Sequence, residues 1–100
     1  MTKPHTVVAI LEAKPEKGQE LESALKAIVT PSRAEKANLE YRLHKSKDNP
    51  LQFFLYENWV DGEKHQEQFS KPYITDLVSK LDDLLAKPFQ AIFAEEIETA

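Results

Sequence analysis

Cysteine is absent from this 100-residue chain, which excludes disulfides, thiolate catalysis and thiolate metal sites. Glycine is scarce: Gly18 and Gly62 are the only two, and neither opens a Gly-rich phosphate loop or a dinucleotide-binding turn. No apolar run is long enough for a membrane span or a signal peptide, so the expectation is a cytoplasmic protein with no membrane partner. An excess of positive charge is missing too. The 13 Lys and Arg are interspersed with 17 Asp and Glu for a net charge of −4. Phosphate binding needs clustered cations, so no nucleic-acid partner is expected, and the charge is read as serving solubility. His5, His44 and His65 are scattered without ligand spacing, and no metal site is expected.

What is present suits one soluble globular domain spanning residues 1–100. Hydrophobic residues make up 41% and charged residues 30%, with no repeat or low-complexity segment. The densest stretch is Leu51-Gln-Phe-Phe-Leu-Tyr-Glu-Asn-Trp-Val60, between the Asp48-Asn49-Pro50 turn and the Asp61-Gly62 break. Its aromatic and branched side chains fit a largely buried central strand. Alternation sets Phe53, Leu55, Glu57 and Trp59 on one face and Phe54, Tyr56, Asn58 and Val60 on the other. The polar pair Glu57 and Asn58 requires partners inside that strand, from the fold or from a ligand.

Thr6 to Ala13 is an apolar, β-branched run closed by Lys14-Pro15, and is read as the first strand. Leu21, Leu25, Ile28 and Val29 then follow helical spacing, with Pro31 expected to end the helix. Leu39, Tyr41 and Leu43 alternate with Glu40, Arg42 and His44, which defines a strand joined to the central one as a hairpin. A polar segment through Phe69 follows Asp61, a candidate N-cap. Ser70 is the expected cap of a second helix with Pro72 in its first turn and an apolar stripe from Ile74 to Leu85. Phe89 to Ile97 is the expected fourth strand.

The order β-α-β-β-α-β specifies an α+β, ferredoxin-like fold: a four-stranded antiparallel sheet with its helices on one face. Helices on one face leave the other uncovered. Val8, Ile10, Phe54, Tyr56 and Ile92 share that second parity, so a symmetric homodimer packed sheet to sheet is expected.

Several segments carry a resemblance: Pro31-Ser-Arg-Ala-Glu35, Leu39-Glu-Tyr-Arg-Leu-His44, Ser46, Asp48-Asn-Pro50, Phe53, Tyr56-Glu-Asn-Trp59 and Lys71-Pro72. Together they resemble the antibiotic biosynthesis monooxygenase family of dimeric α+β barrel proteins along essentially the whole chain. The resemblance implies oxygenation of quinols or anthrone-like polyphenols by O2 without any cofactor. It also places the substrate between the sheet and the helices of each subunit. Related members degrade haem or isomerise a phosphorylated signalling sugar. Gln68 and Tyr73 stand where fuller members carry histidines, and Ala37-Asn38 replaces a usual Gly. The first strand lacks the Asn of the haem-degrading branch, which disfavours haem degradation.

Such oxygenation requires a base, hydrogen bonds and dry walls. His44 and His65 are the candidate bases; the alternatives are solvent exposure for His44 and a surface position for His65. Trp59 either walls the pocket or fills the core, and Asn58 either orients a substrate oxygen or satisfies backbone. Tyr73 is a candidate donor to a quinone-like oxygen or an ordinary helix-start aromatic. Glu57 is read as half of an ion pair with Arg42, with a substrate-side base of raised pKa as the alternative. Gln68 completes the candidate binding set. Two other functions stay open: an isomerase, for which Arg42 and Arg33 are the candidate pocket cations, and a non-catalytic ligand-binding dimer.

Overall fold

A computed structural model describes residues 3–99. The chain runs β1 (His5–Glu12), α1 (Gly18–Arg33), β2 (Asn38–Lys45), β3 (Gln52–Trp59), α2 (Gly62–Glu67), a 3₁₀ turn (Gln68–Ser70), α3 (Pro72–Leu84) and β4 (Gln90–Ala94). The strands form one antiparallel four-stranded sheet in the order β2-β3-β1-β4. This is the ferredoxin-like arrangement. The short helix α2 is an addition to the expected pattern.

Period-two alternation is realised along the central strands. Val7 pairs with Glu57, Ala9 with Leu55 and Leu11 with Phe53, and these side chains are buried beneath the helices. Leu21, Leu25 and Ile28 of α1 and Ile74, Leu77 and Leu81 of α3 close the core from above. Their spacing of three and four residues is what presents one stripe to the sheet. The β2–β3 turn is built from short polar side chains. Ser46 Oγ accepts from the backbone N–H of Asp48 and Asn49, and Asn49 Oδ1 accepts from Leu51 N–H.

Several local features differ from expectation. Helix α1 continues through Pro31 to Arg33, because its last turn is held from outside: Ser32 is fully buried, and Arg33 Nε donates to the Tyr41 carbonyl at 2.9 Å. Asp61 is an N-cap as expected, accepting from Lys64 N–H at 2.8 Å, but the polar segment behind it forms a helix, α2. Ser70 does not cap α3; its hydroxyl turns back to the Glu67 carbonyl, and Lys71 occupies the cap position. Leu39 is 57% exposed because the β2–β3 register shifts between Asn38 and Glu40, taking it off the apolar face.

Strand β4 spans Gln90–Ala94 only and is exposed throughout, an edge strand held by pairing to β1. Among the described residues, no element covers the outer sheet face, where Tyr56 and Ile92 are 39% and 48% exposed beside half-buried Val8, Ile10 and Phe54. No helix among the described residues is long and apolar enough to cross a membrane.

Leu25→Ala removes a fully buried side chain at the centre of the helix–sheet contact and is expected to cost about 2–5 kcal/mol in urea unfolding. Leu39→Ala, on the shifted end of β2, is expected to cost under about 0.5 kcal/mol by the same measurement.

Candidate active site

Between the inner sheet face and the helices α1 and α3 lies a cavity of about 70 Å³. Val7, Ala9 and Leu55 form its floor and Leu25, Ile28 and Leu77 its roof, so the walls are apolar. Phe69, Val78 and Phe89 line its solvent end and are 42%, 50% and 45% exposed. A cavity of about 150 Å³ is enough to hold benzene, so this one is smaller than an aromatic ring requires.

Four polar side chains reach this cavity: Tyr41, Glu57, His65 and Gln68. Strand alternation carries Tyr41 and Glu57 inward, opposite one another across β2 and β3. Glu57 is the only carboxylate among the lining residues and is 4% exposed. Burial pushes its pKa up to about 7, against the opposing hydrogen bond that it accepts from Trp59 Nε1 at 2.9 Å. Glu57 is therefore poised to exchange a proton near neutrality.

His65 Nε2 stands 3.7 Å from Glu57 Oε1. The imidazole is packed among Trp59, Phe69 and Phe93, with ring centroids 5.2–5.6 Å apart. Burial foremost, and then the neighbouring His5, lower its pKa to about 4, so it is neutral at pH 7. Tyr41 is likewise held protonated, its pKa raised by burial first and then by the Glu57 charge.

A second polar chain runs from the cavity outward. Gln68 Nε2 donates to Ser32 Oγ at 2.8 Å and lies 3.5 Å from the Tyr73 hydroxyl. Tyr73 donates in turn to Glu35 Oε2 at 2.9 Å, and Lys71 Nζ is 3.6 Å from the other Glu35 oxygen. Burial, ahead of the Glu35 contact, raises the Tyr73 pKa.

Of the candidate residues, Glu57, His65 and Gln68 meet at the cavity, with Trp59 behind Glu57 and Tyr73 joined through Gln68. Arg42, His44 and Asn58 occupy the outer face. Arg42 Nε bonds Glu40 Oε2 at 2.7 Å, and His44 is exposed opposite Phe54. Asn58 is satisfied by Thr6, Glu40 and Tyr56. The expected Glu57–Arg42 ion pair does not form, because adjacent parities put the two on opposite sides of the sheet. His65 is buried, contrary to its reading as a surface residue, since the Asp61 cap turns the segment into a helix that aims it at Trp59. Tyr41 and Ser32 are site residues that the sequence reading passed over. A phenol in the Leu39-Tyr41-Leu43 alternation was the signal for the first; nothing local marks the second. Among the described residues, no group of three or more His, Asp or Glu is arranged to hold a metal ion.

The geometry thus defines a small ferredoxin-like protein with an apolar pocket and a buried acid–imidazole pair. The family model for antibiotic biosynthesis monooxygenases matches residues 4–80, and the chain belongs to that family. The Synechocystis sp. protein sll1783 is 28% identical over 96% of this chain, which spans 65% of that relative's length. The Bacillus subtilis protein named "Putative monooxygenase YcnE" is 29% identical over 87% of this chain and 92% of its own. The crystal structure of PA3566 from Pseudomonas aeruginosa superposes with a TM-score of 0.93 at 26% identity, covering 98% of both chains.

Trp59→Phe deletes the donor that opposes the burial effect on Glu57. The Glu57 pKa is expected to rise above 7 in the variant, read by carboxyl-carbon NMR titration. An unchanged or lower value would show that the indole N–H does not tune this carboxylate.

Proposed function

We propose that the protein is a cofactor-independent monooxygenase oxidising a small quinol- or anthrone-type molecule with O2. One observation carries this reading: an apolar cavity whose only carboxylate, Glu57, has its pKa raised to about 7. Family membership supports the reaction class.

In the proposed chemistry, the Glu57 carboxylate takes a proton from an acidic C–H or O–H of the bound substrate. The resulting anion is electron-rich enough to reduce O2, forming a C–O bond at the peroxide level. Loss of a second proton with cleavage of O–O leaves a carbonyl and water. For an anthrone, CH2 plus O2 gives C=O plus H2O, so no external reductant is consumed. The apolar walls favour this course by keeping water from the anion. Gln68 and Tyr73 are the proposed hydrogen-bond partners of a substrate oxygen, with Trp59 fixing the Glu57 rotamer.

An isomerase acting on a phosphorylated compound finds less support. The cavity lining contains no Lys or Arg, and Arg42 and Arg33 are engaged by Glu40 and the Tyr41 carbonyl. We further propose a cytoplasmic homodimer, in which the outer face around Phe54, Tyr56 and Ile92 is covered by a second copy.

Oxygen uptake by chelator-treated protein with a panel of quinols and anthrones is expected to exceed their autoxidation and to increase as pH passes through about 7. Glu57→Gln, nearly isosteric, is expected to lower turnover by about 10²–10⁴-fold without loss of folding. Uptake equal to autoxidation across the panel would sink the oxygenase reading. For the assembly, sedimentation should give a dimer that Tyr56→Glu dissociates; a monomeric wild-type protein would refute it.

A further inference from the structure

We infer that His65 and His5 carry protons between the buried Glu57 carboxyl and solvent. The inference rests on the oxygenase reading for its purpose, and on the side-chain arrangement for its substance. Glu57 and His65 are 4% exposed, and Glu57 pairs with no Lys or Arg among the described residues. A base so enclosed, within an apolar wall, has little contact of its own with water. Yet close to neutrality it must shed its proton before it can accept one from substrate.

Besides the Gln68–Tyr73–Glu35 chain, the neighbouring imidazoles supply an outward path that starts at Glu57 itself. His65 Nε2 is 3.7 Å from Glu57 Oε1, and the His5 ring lies next, 5.4 Å from the His65 ring between centroids. His5 opens β1 and is half-buried, so the row ends at the surface beside Gly62. The step is a proton transfer without redox change. The Glu57 O–H bond breaks as its proton passes to His65 Nε2 through one bridging water, the 3.7 Å gap being too long for a hydrogen bond; His65 releases the proton of its other nitrogen toward His5, and His5 passes one on to solvent. A neutral imidazole suits this conduction, since it accepts at one nitrogen while donating from the other.

Of the other polar groups around the row, the Gln68 amide does not titrate, and it separates the cavity from Tyr73 and Glu35. From β2 comes the Tyr41 phenol, held protonated; from β3, Glu57 itself and Trp59; from β4 and the 3₁₀ turn, Phe93 and Phe69. The two phenylalanine rings pack against the row on its flanks.

The test uses the full chain with Glu57 labelled at its carboxyl carbon, plus the variants His5→Phe and His65→Gln. His5→Phe keeps an aromatic ring in place without its nitrogens, at a position with no contact to Glu57. It is expected to leave the Glu57 midpoint in place but to slow proton exchange, replacing one averaged resonance by separate acid and carboxylate signals. With a substrate that the wild type oxidises, His5→Phe should also reduce turnover at least tenfold, increase the solvent isotope effect, and recover on addition of imidazole. Wild-type exchange in both variants would overturn the relay, as would a loss of turnover that imidazole does not rescue. The NMR arm needs no substrate, so a failed oxygenase reading is told apart from a failed relay.

Discussion

The pairing of β1 with β3 is the constraint on which the rest depends. Eight consecutive pairs run from His5↔Trp59 to Glu12↔Gln52 without a break in register. Because side chains alternate, this one registration decides the environment of every residue on both strands. It sends Val7, Leu11, Phe53 and Glu57 toward the helices and Val8, Ile10, Tyr56 and Asn58 away from them. A slip of one residue would exchange the faces and empty the cavity of its carboxylate.

A carboxylate placed under two helices is an expense to the fold, and its neighbours limit that cost. The Trp59 indole, two residues along the same strand and so on the same face, supplies a hydrogen bond. His65 approaches from α2 with a neutral ring, adding no second buried charge to be solvated. The short helix is thus more than a connector. Its Asp61 cap and its position after β3 deliver His65 and Gln68 to the cavity together, three residues apart on one helical face.

The architecture was legible because the strongest signals were periodic: Leu39-Tyr41-Leu43, the Phe53-to-Trp59 alternation and the Ile74-to-Leu85 stripe each announce their element. The site was legible only where it shared that periodicity. Glu57 stood out as a charge within an apolar strand, while its partner was misjudged as Arg42. Arg42 is a neighbour across the hairpin, but it lies on the other face. His65 was obscured because residues 61–69 are polar and short of apolar periodicity; its burial comes from packing against Trp59, Phe69 and Phe93, which no local pattern encodes. Pro31 and Ser70 show the same limit. A residue with a strong terminal preference is overridden when tertiary contacts, such as buried Ser32 and the Arg33–Tyr41 bond, hold the adjoining turn.

The Glu57–His65 pair also has a consequence for how folding depends on acidity. Folding raises the Glu57 pKa from 4.5 to about 7 and lowers that of His65 from 6.5 to about 4. Taken alone, the raised carboxyl lessens stability as pH climbs from about 4.5 to 7. The depressed imidazole lessens it as pH falls from 6.5 to about 4. Between pH 4.5 and 6.5 the unfolded chain carries one proton on the imidazole, and the folded chain carries one on the carboxyl. The proton count is nearly equal in both states around the middle of that range, so the two opposing slopes largely cancel there. There folding takes up or releases almost no proton at this pair; it relocates one between neighbouring side chains, and the buried acid makes the fold no more sensitive to mild acidification.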